Sequence, residues 1–294
     1  MADQAERLRQ LSMETKTPPG SGQSERQAAR VLTVTSGKGG VGKSSLVVNL
    51  ALALADKGQR VLIIDADIGM ANVDVILGCS ANYSLTHLLN GSHTLEEVIV
   101  TGPRNVRFLS GGSGIRELGE LSKLEVQRVI NQIMFYDQQV DYILFDTGAG
   151  IGETVLNFVL AADEVVLVTT PEPTSMTDAY ALIKTYAYAN GQAPIRLVVN
   201  RVADQEEGVA VAAKLIKVAQ QFLDLPMQQL GYVIEDSSVG KAIRRQSPLM
   251  VQYPETDAAR CIEAIAQRLL YGDMQHVLPS SGISGFFRKL LRRI

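Results

Sequence analysis

The stretch TVTSGKGGVGKSSLVVNLALAL, Thr33–Leu54, decides how the chain is read. It opens on apolar and β-branched residues, as a strand buried on both faces would. It closes on a run of strong helix formers. Between them GKGGVGKS, Gly37–Ser44, fits G-x-x-x-x-G-K-[ST] in the strand–loop–helix context that this pattern requires. Its glycines let backbone N–H groups turn inward around phosphate oxygens, and the helix N-terminus adds its positive dipole end. Gly37, Lys38, Gly39, Gly40, Val41, Gly42, Lys43, Ser44 and Ser45 are therefore expected to bind nucleotide. Lys43 should reach the β- and γ-phosphates, and the Ser44 hydroxyl should ligate Mg²⁺. Lys38 is the anomaly, because the general pattern asks for nothing there.

Outward from this loop the strand–loop–helix alternation repeats. Strands are expected at Val31–Ser36, Arg60–Asp65, Val106–Ser110, Tyr142–Asp146, Val165–Thr169, Ile195–Asn200 and Leu230–Ile234. Helices are expected at Ser44–Lys57, Leu121–Tyr136, Thr177–Ala189, Val209–Leu223 and Asp257–Leu270. Such alternation means crossover helices and an α/β fold, a doubly wound, mostly parallel sheet with helices on both faces. Ligands of such sheets bind at the carboxyl ends of the strands, where every motif considered below falls. The expected organisation is an N-terminal helix at 1–11, a Pro/Gly-rich linker at 12–29, the main domain at 30–272, a linker at 273–281 and a terminal helix at 282–294.

The 294 residues carry a net charge of -3 with 46% hydrophobic residues, which reads as globular and argues against nucleic acid binding driven by overall charge. Cys79 and Cys261 lie too far apart in sequence to form a C-x-x-C pair, and the three histidines, at 87, 93 and 276, make no zinc pattern. No apolar run reaches the roughly 20 residues a membrane-spanning helix needs, and the first residues lack the apolar core of a secretory signal. A cytoplasmic protein is expected, with any membrane contact peripheral.

Three further sites carry charge to the same strand ends. VLIIDADIGMANVD ends a strand with Asp65 and Asp67, which could face Mg²⁺ and the attacking water; an alternative is carboxylates satisfied by loop amides. DYILFDTGAG places Asp146 after four apolar residues, as a Walker B aspartate, with glycines able to approach a γ-phosphate. LVVNRVAD offers Asn200 and Arg201 where guanine-specific domains carry Asn-Lys-x-Asp, which favours adenine and hence ATP.

In order and spacing, KGGVGKSS, IIDADIGMANVD, YILFDTGAGI and LVVNRV resemble the deviant Walker A ATPases of the MinD/ParA class, over roughly 30–272. The resemblance implies that Lys38 is a signature lysine crossing an ATP-dependent homodimer interface. It implies that Asp67 positions the attacking water, that Asp146 is the Walker B aspartate, and that Asn200, Arg201, Glu235 and Asp236 meet the adenine. Hydrolysis would then be slow and dimer-dependent. An iron–sulfur carrier of this class would need a cysteine pair, and a DNA partitioner would need a basic surface outside the tail. Division-site placement remains as an alternative.

Within the class, the 174–184 segment TSMTDAYALIK, the DIGMANVDVILG run and the two terminal segments resemble the flagellar-number regulators of the FlhG (YlxH) type. DQAERLRQL pairs Asp3 with Glu6 at capping-box spacing, yet is too short to be a stable helix alone. By resemblance Asp3, Gln4, Ala5, Leu8 and Arg9 form a segment that stimulates the partner GTPase FlhF, an SRP-type GTPase, and flagellar C-ring switch proteins are further partners. In GISGFFRKLLRRI, Ile283, Phe286, Phe287, Leu290, Leu291 and Ile294 share one helical face, while Arg288, Lys289, Arg292 and Arg293 fill the other. That pattern is expected to lie on an anionic membrane surface when ATP is bound, with each basic residue contributing about 1 kcal/mol; docking on the domain itself is the alternative.

Overall fold

All seven expected strands form, and an eighth joins them at one edge. The structure is a computed structural model that describes residues 28–67, 72–111, 136–272 and 281–293. The strands are β1 (Arg30–Ser36), β2 (Val61–Ala66), β3 (Ile99–Thr101), β4 (Arg107–Ser110), β5 (Tyr142–Ala149), β6 (Glu164–Thr169), β7 (Ile195–Val202) and β8 (Met227–Ile234). They form a single sheet in the order β3-β4-β2-β5-β1-β6-β7-β8. Every pairing is parallel except β3 with β4. The edge strand β3 was not foreseen. It is three residues long and directly follows a helical turn at Leu95–Val98, capped by Thr94 and Glu97, so no separate apolar run marks it.

The longer helices are α1 (Lys43–Asp56), α2 (Glu153–Ala161), α3 (Pro173–Tyr188), α4 (Gln205–Leu223), α5 (Ser237–Arg244), α6 (Asp257–Tyr271) and α7 (Gly282–Leu291). Side chains alternate across each strand, so the sheet feeds two cores. Leu32, Val34 and Leu144 pack with α1 and α6 on one side. Val31, Ile143 and Phe145 pack with α2, α3, α4 and α7 on the other. Helix α1 is apolar around most of its circumference because α6 covers the side turned away from the sheet. Of the helix expected at 121–136, only Tyr136 is among the described residues.

The terminal helix takes the docked alternative in this conformation. Ile283, Phe286, Phe287 and Leu290 are each at most 2% exposed. The Phe286 ring stacks on Phe145 at 4.2 Å between centroids and lies 5.8 Å from Phe158. The amphipathic pattern is real, but its apolar face completes the core over β1 and α2, where those rings are removed from water. Leu291 is half-buried, and Arg288, Lys289, Arg292 and Arg293 face solvent. Residues 282–291 thus belong to the domain here; Ile294 lies outside the described residues. No described helix is long and apolar enough to cross a membrane.

Candidate nucleotide site

The loop from Gly37 to Gly42 connects β1 to α1 with two residues in the left-handed region, Gly40 at φ 77° and Gly42 at φ 89°. Side chains at Gly39 and Gly40 would meet nothing within 4 Å, so this part of the loop opens outward. By contrast, a Cβ at Gly37 would lie 2.2 Å from the Asp178 backbone carbon, and one at Gly42 would lie 2.3 Å from Asn200 Nδ2. The loop is thus clamped at both ends and open in the middle. Helix α1 has no side-chain cap and no acidic residue in its first turn, which leaves its amides and dipole available to an anion. Val41 is buried beneath the loop, and Ser45 lines the cavity described below.

Behind the loop lies a buried charge cluster. Lys43 Nζ donates to Asp146 Oδ1 at 2.5 Å, with the two side chains only 7% and 1% exposed. Burial pushes the Asp146 carboxyl above its ordinary range, opposed by Lys43 and by the Ser44 hydroxyl beside it. Asp146 Oδ2 is buried and has no hydrogen-bond partner. An orphaned carboxylate oxygen next to a serine hydroxyl suits Mg²⁺, which takes few protein ligands and completes its shell from phosphate and water.

Asp65, expected as a metal ligand, is corrected. It sits beside Asp146 in the β2–β5 register and is 1% exposed, but its two oxygens accept the Asp67 N–H at 3.1 Å and the Val73 N–H at 3.3 Å. It anchors the loop after β2. Burial, reinforced by the Asp146 charge, pushes its pKa up to about 7. Asp67 is half-buried and faces Gly148, where a Cβ would lie 3.6 Å from Asp67 Oδ1. The Gly150 N–H donates to Ser36 O at 2.8 Å, so the loop after β5 is tied to the strand that carries the phosphate loop. Asp67 and the Gly148–Gly150 turn therefore stand together at the mouth of the site.

At the side of the phosphate loop, Gly42, Ser45, Asn200, Arg201, Glu235 and Asp236 all line a cavity of about 540 Å³. It is large enough for a purine, with apolar walls from Leu46, Val239 and Leu249. Two of these residues also have partners within the chain. Asn200 Nδ2 donates to Val41 O at 2.7 Å and Asn200 Oδ1 accepts the Arg201 N–H, so Asn200 braces the phosphate loop. Asp236 accepts the Ser238 N–H at 2.7 Å as the cap of α5. Ile243 and Arg244 of α5 also line the cavity and were not foreseen. The only local signal for them is an amphipathic stretch following VIED.

Lys38 points the other way from Lys43. Its Nζ donates to Glu172 Oε2 at 2.9 Å and to Thr174 Oγ1 at 2.8 Å, and its side chain is 38% exposed. Glu172 is the N-cap residue of α3 and Thr174 lies in its first turn, and nothing in their local sequence announced this role. Asp3, Gln4, Ala5, Leu8 and Arg9 lie outside the described residues.

A phosphate loop backed by a buried Lys–Asp pair, at the carboxyl ends of a parallel sheet and beside a purine-sized cavity, defines a P-loop nucleoside triphosphatase. A family model described as ParA, NUBPL iron-transfer P-loop NTPase, matches residues 27–270. The chain belongs to the ParA/MinD family of P-loop ATPases. It is 42% identical to the antiactivator FleN of Pseudomonas aeruginosa over 82% of this chain and 86% of that one. It is 36% identical to the flagellum site-determining protein YlxH of Helicobacter pylori over 99% of both. The septum site-determining protein MinD of Pyrococcus horikoshii, solved with Mg-ADP, superposes with a TM-score of 0.63 at 27% identity, covering 82% of this chain and 96% of that one.

Proposed function

We propose that this ATPase is a dimerising switch that regulates flagellar number and placement. Its relative YlxH is named a flagellum site-determining protein, and it spans essentially the whole chain. The observation that carries the switch is the opposite placement of the two loop lysines. Lys43 is buried against Asp146, whereas Lys38 stands at the surface on Glu172 and Thr174, outside its own phosphate cradle. A phosphate enclosed between two subunits needs positive charge from both sides, and a surface lysine at the loop entrance supplies it across the interface.

In this reading ATP and Mg²⁺ bind through the phosphate loop, with Ser44 and Asp146 at the metal and the adenine in the cavity beside Asn200, Arg201 and Glu235. Asp67 orients the attacking water, and turnover is slow because the site is complete only in the dimer. The N-terminal segment, Gln4 above all, stimulates an FlhF-type SRP GTPase. Flagellar C-ring switch proteins bind the dimer, and the protein works in the cytoplasm. Helix α7 leaves its groove in the ATP dimer and lies on anionic membrane, where two copies add avidity.

The test is Lys38→Ala in light-scattering chromatography with ATP. Nucleotide binding through Lys43 should persist while the ATP-dependent dimer is lost; a variant that dimerises and hydrolyses like wild type refutes the reading. Gln4→Ala should bind ATP normally and fail to stimulate the partner GTPase. Capture of flagellar switch proteins rather than the division inhibitor MinC separates this function from division-site placement.

A further inference from the structure

Two carboxylates far from the nucleotide hold together segments that are distant in sequence. Asp137 Oδ1 accepts the Ala29 N–H at 3.3 Å and the Ile283 N–H at 3.2 Å. Asp163 Oδ2 accepts the Val31 N–H at 3.4 Å. Asp163 Oδ1 accepts the Ser281 hydroxyl at 2.6 Å and the Ser281 N–H at 3.2 Å, with Lys289 Nζ at 3.5 Å. Each carboxylate thus bridges the chain entering β1 and the chain entering α7. Gly282, at φ +64°, closes the joint, since a Cβ there would fall 2.2 Å from Asp137 Oδ2 and 3.1 Å from Ala28 Cβ.

The two segments support one another through shared acceptors. When α7 is docked, Asp137 and Asp163 are shielded, and a shielded bond to a charged acceptor is stronger than the same bond in water. When α7 leaves, water reaches both carboxylates, Ala28 loses its neighbour Gly282, and Ala29, 1% exposed in the docked state, loses cover.

We propose that residues 28–31 and helix α7 dock as one cooperative unit, so that release of α7 loosens the root of the N-terminal segment, and tension on that segment loosens α7. The inference rests on the reading that α7 can leave its groove. It links the two segments assigned above to different partners, one to a GTPase and the other to a membrane. Such a coupling is reciprocal by thermodynamic necessity.

Hydrogen-exchange mass spectrometry on the full chain tests both directions. Phe286→Ala, or the milder Ser281→Ala, should speed exchange of the α7 amides and also of Ala29 through Val31. Ala29→Pro, which removes the donor to Asp137 and also fixes the backbone at position 29, should speed exchange in α7 about tenfold or more, at least the effect of losing one bond to a charged group. Exchange in α4 should stay unchanged. Asp137→Ala, which removes the acceptor of both Ala29 and Ile283, should speed α7 at least as much as Ala29→Pro, and the double variant should do no more than Asp137→Ala alone, whereas Asp137→Asn, which keeps an acceptor oxygen, should stay near wild type. If the α7 variants speed α7 but leave 29–31 untouched, or if Ala29→Pro leaves α7 untouched, docking stands and the coupling is refuted. If neither α7 variant speeds exchange in α7, the undocking reading itself fails.

Discussion

Phe158→Ala probes the groove that holds α7 without altering the helix. Phe158 is 2% exposed on α2, with its ring 5.5 Å from Phe145 and 5.8 Å from Phe286. Four apolar side chains of α7 are buried, each contributing roughly 1.5–3 kcal/mol, or about 6–12 kcal/mol together. Ordering ten residues opposes this with about 1 kcal/mol or more per residue. Docking therefore rests on a difference of a few kcal/mol.

Truncating a buried phenylalanine costs about 3–5 kcal/mol in all. Most of that falls on Phe158's other neighbours, and its pairing with Phe286 accounts for about 0.5–1.5 kcal/mol. That share raises the undocked population about two- to tenfold. The sequence of α7 is unchanged, so its intrinsic affinity for membrane is unchanged, and apparent affinity rises in proportion to the competent fraction. Nucleotide-free protein should then co-sediment with anionic vesicles about two- to tenfold more strongly than wild type, and less so at high salt. Unaltered vesicle binding in a variant whose melting temperature falls would refute the idea that docking and membrane binding compete for one face.

Two further outcomes are expected. Asp65 holds its proton more tightly in the folded chain, with a pKa of about 7, than in the unfolded one, so its contribution to stability declines as pH rises from about 3.8 to about 7, by at most about 4 kcal/mol. Thermal unfolding of the nucleotide-free protein should therefore shift in favour of Asp65→Asn, relative to wild type, between pH 5 and pH 8; a constant difference contradicts this. Gly37→Ala forces a Cβ against the Asp178 backbone, and overpacking of about 1–3 kcal/mol at the loop root should weaken binding of a fluorescent ATP analogue about tenfold or more. Wild-type affinity would show that α3 can yield.

The phosphate loop was legible in full because its geometry is local. Gly40 and Gly42 are where the backbone turns left-handed, and the lysine and serine follow at positions set by the loop itself. Asp146 was legible for a similar reason, as the polar end of an apolar strand. Asp65 was not separable from it by sequence, since both end central strands. The difference arises because the amides of Asp67 and Val73 fold back onto Asp65, while Asp146 Oδ2 is left with none. Asn200 looked like a base-reading residue, and its contact with Val41 O, 159 positions away, carried no local signal. Lys38 stood out as an extra charge, but its partners at the N-terminus of α3 carry no signature of their own.

The sequence by itself therefore determined the alternation of strand and helix, the phosphate cradle and the amphipathic character of the last helix. Each of these is a property of neighbouring residues, set by side-chain periodicity, glycine conformation and helix ends. Only the tertiary structure decided what those features face. The same Phe286 that periodicity places on an apolar stripe could meet lipid or protein. It meets Phe145, because β5 and α2 together leave an uncovered apolar surface of matching shape. An amphipathic pattern encodes a demand to leave water, and the partner that meets the demand is a matter of which surfaces the whole fold brings together.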